Sequence, residues 1–99
     1  MTYRICCCIP FCRRTRKPWE GMNETSEWIC GKHWPLVSKT LRRRDSLFLR
    51  RYKKRFGTNS FWCYPAGSPD RIEAARLARL CEMSWERCKK QAIERAAGI

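Results

Sequence analysis

Ninety-nine residues bound the chain to one small domain, or to one domain with an appended segment, whose thin core would gain from a metal or disulfide staple. Its 22 Lys and Arg against 9 Asp and Glu give a formal charge of +13, which repels itself unless a polyanion is near; nucleic acid is the default partner and an anionic membrane surface the second. Five Trp, four Phe and three Tyr exclude global disorder, and no apolar run nears the ~20 residues that a transmembrane helix needs.

The first element in chain order is "CCCIPFC", residues 6–12. Its short apolar run ends at Pro10, and the basic residues Arg13, Arg14, Arg16 and Lys17 follow it. That order and length do not suit a secretory signal, so the reading expects a cytoplasmic protein. In a reducing compartment clustered cysteines serve metals more often than disulfides. A disulfide network is the alternative, because eight Cys also suit a small secreted scaffold.

The only histidine sits in "CGKH", as Cys30-x-x-His33. Joined to Cys8-x-x-x-Cys12, it completes two closely spaced ligand pairs. Zinc takes four nitrogen and sulfur ligands in a tetrahedron, and such pairs supply them from tight turns. Pro10 presets the backbone between Cys8 and Cys12. The expected site is therefore Cys8, Cys12, Cys30 and His33 around one structural Zn2+. Cys7 with Cys12 is the reserve spacing, and Cys6 lies too far from Cys12 to compete. With four protein ligands the zinc has no open position, so its role is structural rather than catalytic.

Between the pairs, "RRTRK" and "SEWIC" read as two short strands, with "PWEGMNET" turning the chain between them. Next, "KHWPLVSKTLRRRDSLFLRRYKKRF" repeats apolar residues at Trp34, Val37, Leu41, Phe48, Tyr52 and Phe56. That spacing predicts one long helix starting near Gly31, with Cys30 and His33 on its first turn and Gly57 as its stop. Asp45-Ser46 is the place where it could break in two.

The order of knuckle, hairpin and ligand-bearing helix over residues 6 to about 56 resembles the treble-clef zinc finger. More loosely, "IPFCRRT" with "EWICGKHW" looks like a group of small zinc proteins encoded by phages and prophages, which implies a mobile-element origin. Treble clefs also house the His-Asn-His endonucleases. These need a general-base histidine besides their ligands, and His33 is the only one. The reading therefore expects no enzyme of that class.

The predicted helix carries the charge. Lys39, Arg42, Arg43, Arg44, Arg50, Arg51, Lys53, Lys54 and Arg55 fall within 17 positions, opposed only by Asp45. Residues 30–57 hold a net +9 of the chain's +13. Clustered arginines on a solvated helix face suit phosphate contacts, while the bland alternative is a face kept charged for solubility. "NSFWCYP" then sets Phe61, Trp62 and Tyr64 where they either stack on bases or cover a core. Their alternation fits a short strand ended by Pro65.

Ser68 and Pro69 open a last helix as N-cap and first position. Leu77, Cys81, Ser84, Cys88 and Ala92 trace its face, and Gly98 ends it. It packs either on the first helix or on a partner. Cys81 and Cys88 lie ~10 Å apart along one helix, so they read as core. A second metal site joining Cys6 or Cys7 to Cys63 and one of them is the alternative.

The expected fold class is α+β, small and helix-dominated. Residues 1–57 form the zinc module with its basic helix, 58–68 an aromatic linker and 69–97 the packing helix. The expected function is a phage-derived, non-catalytic protein that binds DNA or RNA through the basic helix and makes no membrane contact. The alternatives are a protein-interaction module acting on a host nucleic-acid machine, and a virion structural protein cross-linked through its cysteines.

Overall fold

The computed structural model describes residues 3–98, and nearly all of its regular structure is helical. Strand β1 (Ile5–Cys6) pairs antiparallel with β2 (Thr15–Arg16), Ile5 opposite Arg16 and Cys6 opposite Thr15. A 3-10 turn covers Trp34–Leu36. Helix α1 runs Lys39–Phe56, a second 3-10 turn covers Phe61–Cys63, and helix α2 runs Pro69–Ala96. No helix is long and apolar enough to cross a membrane.

The chain divides into two compact units. One takes the described residues up to Ser38 and from Lys89 onward, and the other is Lys39–Cys88. The sequence pattern places the basic helix with the cysteine module, through residue 57. In the structure α1 belongs to the second unit, and the tail of α2 belongs to the first.

In the first unit the hairpin is not where the sequence placed it. β2 lies within "RRTRK", but its partner is β1, upstream of the knuckle rather than downstream. The knuckle itself is therefore the hairpin loop. The Cys7 N–H bonds the Arg14 carbonyl at 3.0 Å, and the Cys12 N–H closes a turn on the Ile9 carbonyl at 2.9 Å. "SEWIC" contributes a single parallel bridge, Trp28 to Cys7, and the Cys8 N–H bonds the Trp28 carbonyl at 2.8 Å. The Asn23 side chain holds residues 23–26 in turns: its Oδ1 accepts from the Thr25 N–H at 2.8 Å. Such local bonds compete with a strand ladder, which is why "SEWIC" pairs so little. The end of α2 is pinned to this unit. Lys89 meets Glu27 at 2.8 Å, the Ser38 N–H bonds Gln91 Oε1 at 2.6 Å, and Arg95 bonds the Leu36 carbonyl at 2.7 Å. Ile5, Ile9, Ile29, Val37 and Ala92 make its apolar core.

The second unit is an antiparallel helical hairpin. At one end Arg55 reaches Asp70 at 3.0 Å, and toward the other Cys88 Sγ lies 3.6 Å from the Leu41 carbonyl. Leu41, Asp45, Phe48, Tyr52 and Phe56 make the inner stripe of α1, and Asp45 and Phe56 are its buried members. Asp45-Ser46 does not break the helix. The aspartate takes the core position that the apolar pattern leaves vacant between Leu41 and Phe48. On α2, Ser84 and Cys88 of the predicted face are buried, Leu77 and Cys81 are half-buried, and Ala74, which the pattern did not include, is buried as well. The Ser68 hydroxyl accepts the Arg71 N–H at 3.2 Å, as an N-cap should. Gly57 (φ +64°) ends α1, and Gly98 (φ +81°) follows α2; both hold the left-handed conformation that favours glycine. The expected strand through Phe61–Cys63 is instead a 3-10 turn, held by the Cys63 N–H on the Ser60 carbonyl at 3.0 Å.

Candidate metal centre

Four side chains from two turns converge in the first unit. Cys7, Cys12, Cys30 and His33 bring one ligand atom each within 4.8 Å of all the others. Cys7, Cys30 and His33 are buried and Cys12 is half-buried. This arrangement fits a zinc-binding knuckle. No second group of His, Cys, Asp and Glu with this geometry occurs among the described residues.

Cys8, the expected ligand, is outside the cluster, and Cys7 stands in its place. The reason is strand geometry. Strand β1 and the Cys7 bridge that continues it put side chains alternately on two sides, and the bend at Cys8 and Ile9 keeps that alternation of burial. Ile5, Cys7 and Ile9 point inward, at 3%, 6% and 1% exposure, whereas Cys6 is exposed and Cys8 half-exposed. Cys8 Sγ lies 3.9 Å from a Glu27 carboxylate oxygen instead. The sequence reading took Pro10 as the centre of the turn. The turn is in fact the four residues Ile9 to Cys12, with Cys7 behind it on the strand.

The second pair sits on a turn rather than on α1. The N–H groups of His33 and Trp34 both bond the Cys30 carbonyl, at 3.0 and 2.9 Å. Pro35 follows in the 3-10 turn, and Val37 is extended (ψ 135°). The chain therefore leaves helical geometry for two residues before α1 begins at Lys39. A single helix from Gly31 does not form.

Cys12 Sγ lies 3.8 Å from Cys30 Sγ, and His33 Nδ1 lies 3.3 Å from Cys30 Sγ and 3.8 Å from Cys7 Sγ. A tetrahedral ion with bonds of about 2.3 Å to sulfur and 2.0–2.1 Å to nitrogen sets these edges near 3.8 Å and 3.6 Å. The observed separations match such a polyhedron. The Cys12–Cys30 separation is much too long for a disulfide, which needs sulfur atoms about 2.05 Å apart, and no disulfide joins any two cysteines among the described residues.

Backbone donors favour the charged form of one sulfur, that of Cys30. Burial pushes the Cys30 thiol up, but the N–H groups of His33 and Lys32, with the His33 and Cys7 side chains, outweigh it and bring the thiol down to about 6. A thiolate is the form that binds metal. Burial dominates at Cys7 and leaves its thiol raised, although N–H groups from Cys30 (3.3 Å) and Ile9 act against it. Phe11 caps the site with an edge-on contact to the His33 ring, at 6.1 Å between centroids. An apolar lid of this kind limits solvent access to an ion.

The expected nucleic-acid residues lie in the second unit. Lys39, Arg43, Arg44, Arg50, Arg51, Lys53, Lys54 and Arg55 are exposed, and Arg42 is half-buried. Among the described residues only Arg55 of this exposed set forms an ion pair, with Asp70. Searches of protein-family models, curated proteins and solved structures return no match.

Proposed function

We propose that this chain is a small, non-catalytic zinc protein that binds nucleic acid through the outward face of α1. Zinc is the ion that the donor set favours, since three thiolates and an imidazole in a closed tetrahedron are a structural zinc shell. The sequence of knuckle, second ligand pair and helix supports a treble-clef-like affinity, with the hairpin moved to flank the knuckle. The likeness of "IPFCRRT" and "EWICGKHW" to phage-encoded zinc proteins supports a mobile-element origin. Cys7, Cys12, Cys30 and His33 would fill all four coordination positions, and the sequence has no second histidine, which supports a non-catalytic role.

The observation that carries the nucleic-acid reading is the exposed basic face of α1. Charges that shared this face only for solubility would be interspersed with acids. Here the one acid on the helix, Asp45, is turned inward. Arginines that fork to phosphate need this exposure, and each neutralised phosphate releases counterions. The test is anisotropy titration of labelled DNA and RNA over a salt series. Affinity should fall steeply as salt rises. Changing Arg43, Arg50 and Lys54 to Ala should flatten that dependence by about one log unit per lost phosphate contact while leaving the circular dichroism intact. Absence of binding at low salt, or binding indifferent to salt, contradicts the reading.

A second reading, a modulator of a host nucleic-acid machine, draws on the first unit. Phe11 and Trp19 are 63% and 46% exposed there, and exposed aromatics anchor protein interfaces. Association with a protein target that survives nuclease treatment and is lost in Phe11→Ala would favour it.

A further inference from the structure

The turn between α1 and α2 sorts its three aromatics unequally. Tyr64 packs against the buried Phe56, with 5.4 Å between ring centroids. That contact, with the Tyr52 hydroxyl donating to the Asn59 carbonyl at 2.6 Å, closes the end of the helical hairpin. Trp62 has no part in this packing. It is 71% exposed, more than any other large apolar residue among those described. Phe61 leans on it at 4.8 Å between centroids, and the Arg71 guanidinium lies 4.6 Å from its ring centroid. Arg71 is itself held by the Tyr64 carbonyl at 3.3 Å. The indole is thus braced from its own unit and left open to solvent.

The surroundings are cationic. The last turn of α1 carries Lys53, Lys54 and Arg55. Arg55 bonds Asp70, the neighbour of Arg71, and so draws the basic end of α1 to the start of α2. A braced, exposed aromatic beside fixed cations is how proteins hold an unpaired base and its phosphate: the base stacks on the ring and the backbone follows the charge. A duplex hides its base faces and cannot use the indole. An anionic membrane would use the same charges, but membrane-bound elements insert an apolar face several residues wide, and here one ring projects.

We propose that Trp62, braced by Phe61 and Arg71, is a base-stacking platform, and that the nucleic acid this protein prefers is single-stranded. The proposal rests on the basic-face reading of α1 and adds the form of the nucleic acid to it.

The test compares Trp62→Ala and Trp62→Phe with the wild-type chain. Each is titrated against a labelled single strand, an abasic strand of equal length and charge, the matching duplex, and vesicles of mixed phosphatidylserine and phosphatidylcholine. The wild type should bind the single strand more tightly than either the abasic strand or the duplex. Trp62→Ala should weaken single-strand binding about tenfold and leave the abasic strand unchanged. Trp62→Phe, which keeps a ring face, should recover most of the loss. If the wild type binds the abasic strand or the duplex as well as the single strand, or if Trp62→Ala binds all three as the wild type does, the platform is refuted while the basic-face reading stands. If no nucleic acid binds at low salt, both fall. Trp62-dependent binding to vesicles without binding to oligonucleotides also refutes the platform.

Discussion

The two units of this chain are held together by different means. The helical hairpin, Lys39–Cys88, has long helices, a serine N-cap, a glycine stop after α1 and a stripe of packed side chains. The unit around the cysteines has two strands of two residues each, and apart from the tail of α2 the rest of its backbone is turns and irregular chain. Two-stranded ladders this short are not stable by themselves. Its distant segments meet at a small apolar core, at the bonds from the tail of α2, and at the convergence of Cys7, Cys12, Cys30 and His33. One region is specified by backbone propensity and burial, and the other rests more on a side-chain cluster able to hold an ion.

Metal removal should break that symmetry most strongly. Structural zinc in small fingers supplies apparent free energies of about 10–16 kcal/mol at neutral pH. On addition of a strong chelator, hydrogen exchange at the amides of Cys7, Cys8 and Cys12, all hydrogen-bonded in the intact fold, should rise to the unprotected rate. Amides in the middle of α1 and in the α2 segment before Lys89 should keep their protection. Equal loss in both units would show that the hairpin depends on the ion too.

A smaller effect should come from within the hairpin, at Asp45. Its Oδ1 and the Ser84 hydroxyl are buried without hydrogen-bond partners of normal geometry. Burial raises the Asp45 carboxyl, tempered by Ser84. Burial also raises the Cys81 and Cys88 thiols, the latter to about 11, and the Asp45 charge adds to both. An acid raised in the folded state keeps its proton to higher pH than it does unfolded. Its ionisation therefore favours the unfolded chain, and hairpin stability should fall as pH rises through the folded pKa. Asp45→Asn should flatten this slope and stabilise the hairpin at neutral pH by about 1 kcal/mol. Thermal melts from acid to neutral pH give the answer, and an unchanged slope would contradict it.

Removing the cap should have an effect of similar size. Ser68→Ala loses the acceptor for the Arg71 N–H and should lower stability by roughly 1 kcal/mol. Asp70 forms an exposed pair with Arg55, with both side chains more than half accessible. Asp70→Asn should cost no more than about 0.5 kcal/mol, vanishing at high salt. A larger loss there would mean that the α1–α2 corner is more tightly coupled than an exposed ion pair allows.

These contrasts also explain what could be read from the sequence. Ser68, Pro69, Gly57 and Gly98 act locally, so they marked the helix ends correctly. The burial of Ser84 and Cys88 follows from helical period alone. The apolar stripe of α1 was legible too, but not that Asp45 belongs to it, because an acid inside a stripe reads as a breaker until its neighbours are known. The ligand pairs at 30 and 33 were visible from spacing. The choice between Cys7 and Cys8 was not, because it depends on which face of an extended strand turns inward. The signal was nonetheless present in "ICCCI": isoleucines at 5 and 9 alternate with Cys7 and are buried with it, while Cys6 and Cys8 are the more exposed. The hairpin was misplaced because its pairing depends on the knuckle acting as its loop, a contact that strand propensity does not encode. The start of α1 moved to Lys39 because Pro35 and Val37 interrupt a pattern whose apolar period runs on through them.

The central claim is that Cys7, Cys12, Cys30 and His33 hold one zinc ion and that Cys8 does not take part. Native mass spectrometry of the wild type, Cys7→Ser and Cys8→Ser tests it directly. The wild type should carry one zinc and eight reduced thiols, Cys8→Ser should carry one zinc, and Cys7→Ser should lose tightly bound zinc. A wild type without zinc and with paired thiols, or zinc that survives Cys7→Ser and disappears in Cys8→Ser, would contradict it.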